Sequence, residues 1–137
     1  MKILVATDGS EGSENAIRFA SRLAKESHST ITLLHVIPKI ETTKEEIITL
    51  LKEEIGSPEK AGTKYLETGT KIVEEFDVTA ETKLLEGDPL DETLKEAEGY
   101  DLLVAGSHGK GKVDRFLLGS VSSELVRKSE VPVLVVR

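Results

Sequence analysis

Short apolar runs alternate along the chain with stretches whose apolar residues recur at helical spacing. Ile3-Leu4-Val5-Ala6 is an unbroken apolar run, the pattern of a strand covered on both faces. Ser10 and Ser13 are helix-start residues, and Ala16, Ile17, Ala20, Leu23 and Ala24 then repeat at helical intervals. Residues 31–37 predict a second strand, which Pro38, lacking a backbone donor, helps to end. From Thr42 to Phe76 the pattern is charged and helical. Thr43-Lys44-Glu45-Glu46 fits a capping box, and Ile47, Ile48, Leu51 and Ile55 form one apolar face. Gly56-Ser57-Pro58 interrupts that face. Either one helix ends at Gly56 and Ser57 caps another carrying Ala61, Tyr65, Ile72, Val73 and Phe76, or a single helix kinks there. Residues 78–86 read as a third strand. Asp88-Pro89-Leu90-Asp91 opens a helix with Leu90, Leu94 and Ala97 turned inward. Residues 102–105 predict a fully apolar fourth strand, 113–128 a helix with Leu118, Val121 and Leu125 on one side, and 131–136 a fifth strand. Strand and helix alternate throughout, which predicts an α/β domain with a largely parallel sheet.

Composition narrows this picture. The 137 residues suit one domain, 1–137, and no repeat, low-complexity tract or linker divides them. No apolar run approaches the ~20 residues needed to cross a bilayer. The apolar stretch at the N-terminus is short and ends at Asp8, so no signal peptide and a cytoplasmic location are expected. With no cysteine, disulfides, thiolate metal sites, iron–sulfur clusters and cysteine nucleophiles are excluded. His28, His35 and His108 are scattered, and no metal site is predicted from them. The formal charge of −7 argues against nonspecific nucleic-acid binding. Locally the balance reverses: Lys110, Lys112 and Arg115 against Asp114 give residues 106–115 a net +2, in a glycine-rich loop suited to a small anion.

In open α/β sheets, ligands sit outside the carboxyl ends of the strands, where the strand order reverses. Thr7-Asp8-Gly9-Ser10 follows the first strand, and Gly106-Ser107-His108-Gly109-Lys110-Gly111-Lys112 follows the fourth. The second loop nearly matches the phosphate-binding pattern GxxxxGK(S/T), but Val113 stands where a hydroxyl would hold Mg²⁺. The dinucleotide pattern GxGxxG is absent. What is present is Gly106, Gly109, Gly119 and Ser120 in the spacing G-x2-G-x9-G-S. Gly106 and Gly109 permit positive φ and close backbone approach. Gly119-Ser120 adds exposed amides and a hydroxyl at a helix N-terminal turn, where the dipole favours phosphate.

With these residues the chain resembles the universal stress protein family, nucleotide-binding type. The family's G-x2-G-x9-G-(S/T) pattern is intact. Similarity extends over KILVATDGS at 2–10, LLHVI at 33–37, EGDP at 86–89, DLLVAGSHG at 101–109, LLGSVSSELV at 117–126 and VPVLVV at 131–136. The resemblance implies a Rossmann-like, five-stranded parallel open sheet in the order 3-2-1-4-5 with helices on both faces, as in the adenine nucleotide alpha-hydrolases. It implies ATP, or ADP or AMP, as ligand, with Mg²⁺ or Mn²⁺ held mainly by phosphates. It also implies a homodimer through residues 131–136. A nucleotide-dependent regulatory or stress-response module is the leading expectation; slow ATP hydrolysis or adenylate chemistry, and a nucleotide-independent dimeric interaction protein, are the alternatives. Asp8, with Ala6 and Thr7, corresponds to positions beside the adenosine, and Val36, ending the second strand, to the residue whose backbone meets the adenine. Gly106, His108 and Gly109 match the loop along ribose and phosphates, and Gly119, Ser120, Val121 and Ser122 the phosphate-cradling turn. Asp8 would alternatively cap the first helix, and Ser120 or Ser122 the last. His108 is either an exposed loop histidine or a positioning residue, and His35 reads as a packed, hydrogen-bonded one.

Overall fold

The computed structural model describes residues 1–39, 57–108 and 119–137. In chain order the elements are β1 (Lys2–Ala6), α1 (Glu11–Ser27), β2 (Thr30–Pro38), α2 (Pro58–Glu74), β3 (Ala80–Gly87), α3 (Pro89–Ala97), β4 (Leu102–Gly106), α4 (Ser120–Lys128) and β5 (Val133–Val136). The five strands are parallel, in the order β3-β2-β1-β4-β5. Sequential crossovers thus run outward from β1 on one side and return to β4 on the other, so the order reverses between β1 and β4.

Local chemistry fixes the helix starts. Ser10 caps α1 by accepting from the Ser13 N–H, and Ser57 caps α2 by accepting from Lys60 N–H. Asp88 caps α3 by accepting from the amides of Leu90 and Asp91. Each cap satisfies donors that the first helical turn leaves without partners. Ser57 has extended backbone, so α2 begins as its own helix rather than as the second limb of a kinked one. The capping box at Thr43 and the apolar face from Ile47 to Ile55 lie outside the described residues.

Alternation along the strands makes two cores. Ile3, Val5, Leu33 and Val104 face α1 and α2, where Ala16, Ile17, Ala20, Leu66 and Val73 meet them. Leu4, Leu34, Leu103 and Ala105 face the other way, toward Ala97 and Leu125. Ile3, Leu4 and Val5 are each completely buried. The sheet is covered on both sides, as continuous apolar strands require.

Several boundaries differ from the sequence expectation. β3 runs 80–87 instead of 78–86, and β5 begins at Val133 because Pro132 has no ladder donor. β2 continues to Pro38, so Val36 lies two residues short of its end. The largest difference is α4. Gly119 is extended (φ −66°, ψ 162°) and the helix starts at Ser120, not as part of a helix running from 113. Residues 113–118, with Leu118, fall outside the described residues. Val121 was grouped with Leu125 by periodicity, yet it is 46% exposed against 1% for Leu125. It stands in the first turn, where it borders a cavity instead of the sheet.

Candidate functional site

The reversal between β1 and β4 opens into a cavity of about 420 Å³. That lies within the ~300–1,000 Å³ usual for small-ligand sites. Three strand ends and one helix start build it. Ala6, Thr7 and Asp8 come from the end of β1, Val36 from β2, Gly106 and His108 from the end of β4. Gly119, Ser120, Val121 and Ser122 come from the start of α4. Ten of the eleven candidate residues are therefore brought together around one space; Gly109 lies outside the described residues.

The β1 loop is tightly specified. The Thr7 N–H donates to the Leu34 carbonyl at 2.9 Å, prolonging the ladder by one bond. Its buried hydroxyl meets Ser13 Oγ at 3.0 Å and accepts from Gly9 N–H at 3.3 Å. Gly9 has φ +79°, a left-handed conformation that glycine adopts without penalty. A Cβ there would lie 2.4 Å from the Tyr65 ring, so the turn is closed from above by α2. Asp8 Oδ1 accepts from Ser10 N–H at 2.9 Å, an Asx turn leading into the helix. The N-cap itself is Ser10, not Asp8. Among the described residues, Asp8 Oδ2 has no partner.

The β4 loop is pinned through one carbonyl. Ser107 O accepts from Gly119 N–H at 2.6 Å and from Ser122 Oγ at 2.8 Å. Ser107 N–H donates to Val136 O of β5 at 2.8 Å. Ser122 is thus buried and turned to the backbone, with a further contact to Gly119 O at 3.1 Å. Gly106 meets one of the two expectations for it, close backbone approach, and not the other. It does not have positive φ; its missing side chain is matched by the backbone of Gly12 in the first turn of α1.

Positive character in the cavity comes from dipoles, and Asp8 is the one acidic side chain among the described residues that line it. No lysine or arginine of the described residues lines it. The first turn of α4 leaves the amides of Ser120, Val121 and Ser122 without helical acceptors. Helices α1, α2 and α3 each carry an acid in the first turn and a side-chain cap; α4 has neither. An uncompensated helix start of this kind favours an anion. His108 adds an unmatched group: Nδ1 lies 3.2 Å from Ser107 Oγ, while Nε2 is buried without a hydrogen-bond partner among the described residues. Such an atom carries a desolvation cost unless something pairs with it. Leu34, Val36, Pro38, Pro89 and Leu125 add apolar lining to the same cavity.

Sequence reasoning missed Ser13, which anchors Thr7, and Pro89 and Thr93, which bring α3 to the cavity wall. The helix signal at Asp88-Pro89 located α3, but only the sheet order puts its start beside β2.

These features define a doubly wound α/β domain with a ligand-sized crevice at its topological switch point. The chain belongs to the universal stress protein family, which it matches over residues 1–137. It is 36% identical over 148 residues to universal stress protein YxiE of Bacillus subtilis, covering 99% of this chain and 98% of that one. The solved structure of MJ0577, a universal stress protein of Methanocaldococcus jannaschii, superposes with a TM-score of 0.80 at 36% identity, covering 98% of this chain and 94% of that one. An Arabidopsis thaliana family member solved with AMP bound superposes at 0.70 with 25% identity, covering 99% and 90%.

Proposed function

We propose that this protein binds an adenine nucleotide, ATP or else ADP or AMP, in the crevice between β1 and β4, and serves as a nucleotide-dependent regulatory module of the cytoplasm. The observation that carries the reading is the start of α4. Its amides face the cavity with no acid and no side-chain cap to occupy them, a position that suits a phosphate. The buried Nε2 of His108, without a partner among the described residues, supports a polar ligand there. The apolar lining from Val36 and Leu34 suits a purine. AMP in the Arabidopsis relative supports the same ligand class for this chain. A divalent ion accompanying the phosphates would take most of its ligands from them, since the described residues hold no cluster of three His, Asp or Glu.

Binding, not turnover, is the reading the side chains favour. Asp8 Oδ1 is engaged by Ser10 and His108 Nδ1 by Ser107, so among the described residues neither belongs to an acid–base pair. β5, an edge strand whose outer backbone edge is unpaired among the described residues, is the proposed surface for a homodimer. Isothermal titration of the purified chain with AMP, ADP and ATP, with and without Mg²⁺, tests the reading. Saturable heat is expected. A folded protein giving no heat at millimolar nucleotide overturns it.

A further inference from the structure

In a parallel ladder, the N–H and C=O of one residue face the same neighbouring strand, and successive residues alternate sides. Thr30 N–H donates to Met1 O, and Leu34 O accepts from Thr7, so the even-numbered residues of β2 face β1. Lys39 N–H donates to Gly87 O, so the odd-numbered ones face β3. Val36 therefore turns both backbone groups toward β1. The register matches Val5 with Leu33 and Ala6 with Leu34. Continued by one step, it assigns the Val36 N–H to the Thr7 carbonyl, but that bond is not made.

The Thr7 carbonyl accepts from His35 Nδ1 instead, at 2.7 Å. A carbonyl only accepts, so the His35 proton sits on Nδ1. The ring is held for this task. Tyr65 meets it edge to face at 5.2 Å and 82°. Gly62 leaves it room, since a Cβ there would come within 2.7 Å of His35 Cδ2.

We propose that His35 is a positioning residue for base recognition: by capturing the Thr7 carbonyl it stops the β1–β2 ladder one bond early and leaves the Val36 N–H and C=O facing the cavity. This rests on the nucleotide reading above and names how its base would be held. A neighbouring donor and acceptor on one residue complement the edge of adenine, which offers a ring-nitrogen acceptor beside its amino group. The His35 side chain, which faces α2, then serves a ligand it need not touch.

Two measurements on the full chain separate this proposal from the reading beneath it. The first needs no ligand. Amide hydrogen exchange at Val36 should slow in His35→Leu, because the freed Thr7 carbonyl takes the Val36 N–H. His35→Asn keeps an amide donor on the same branch atom and should exchange like the parent. His35→Ala serves as a second donor-free variant should leucine prevent folding. The second measurement titrates AMP and ribose 5-phosphate. His35→Leu should weaken AMP about tenfold, the scale of one hydrogen bond, and leave ribose 5-phosphate unchanged. A merely structural histidine would weaken both ligands together. Unchanged Val36 exchange in the donor-free variants overturns the proposal, as does equal loss of the two ligands. Should the parent bind no AMP, the nucleotide reading falls, and the exchange measurement alone still decides whether His35 holds the ladder open.

Discussion

Gly106 packs against the backbone of Gly12 so closely that a Cβ on Gly106 would lie 2.7 Å from the Gly12 carbonyl carbon and 3.0 Å from Ser13 N. The neighbour is backbone on both counts and cannot swing aside. This contact joins the end of β4 to the first turn of α1, two of the walls of the crevice. Gly106→Ala is therefore expected to destabilise the fold by about 1–3 kcal/mol, as overpacking does, instead of only blocking a ligand. Gly119→Ala is the comparison: its Cβ would meet Ser107 O at 3.2 Å with ordinary φ, a milder overlap than the approaches at and below 3.0 Å at Gly106, and should cost less. Urea unfolding of the two variants checks the ranking. Equal stability would mean that α1 and β4 are free to part.

Ser122 and Ser120 stand two residues apart in one turn and should behave differently. Ser122 Oγ is buried and donates to Ser107 O. Ser122→Ala should cost about 1 kcal/mol, near the low end for a buried bond because Gly119 N–H still satisfies that carbonyl. Ser120 is exposed. Ser120→Ala should leave the unfolding midpoint unchanged and affect nucleotide affinity alone. Thermal unfolding and titration of each variant separate anchor from ligand contact.

β1 and β4 were legible in the sequence as unbroken apolar runs covered on both faces, whereas β3, with Glu81, Thr82 and Lys83 exposed at the sheet edge, gave a looser pattern and shifted bounds; Ser10, Ser57 and Asp88 announced their helices through cap chemistry. The glycine spacing located the crevice loops. It did not say why Gly106 is glycine, because Gly12 is distant in sequence and meets it only through the sheet order. Periodicity also misread Val121, whose interval from Leu125 is helical but whose turn projects past the sheet. The link from His35 to Thr7 depends on register, and a one-residue difference in pairing would erase it. Residues 40–56 and 109–118, with Gly109, lie outside the described structure.

The pair between Lys83 on β3 and Glu96 on α3 makes a pH prediction away from the site. Lys83 Nζ lies 2.7 Å from Glu96 Oε2, which Tyr100 Oη also approaches at 3.3 Å. The hydrogen bond and charge of Glu96 raise the Lys83 pKa above its ordinary 10.5. A raised base stabilises the fold while protonated in both states, so the contribution is complete below the ordinary value. It is lost as pH rises through the raised one. The stability difference between the parent and Lys83→Met should be constant near neutrality and shrink in strong alkali. Lys83 is exposed, so the difference is small at every pH. A difference that grows with alkali would contradict the assigned direction.

The start of α4 permits a test in which stability and binding move in opposite directions. Nothing of the described chain neutralises that helix end: its first turn has no acid and Gly119 has no side chain to cap it. Placing a carboxylate there with Ser120→Asp should stabilise the apo protein by about 0.3–1 kcal/mol through the helix dipole. The same carboxylate would stand where a phosphate is proposed and repel it. Nucleotide affinity should fall by about tenfold or more, a coupling of the size expected for like charges in a partly shielded site. Added salt should narrow the gap, since screening weakens both effects. A variant that merely distorted the turn would lose stability and affinity together. A variant that gained stability with affinity untouched would put the anion somewhere other than the amides of Ser120, Val121 and Ser122.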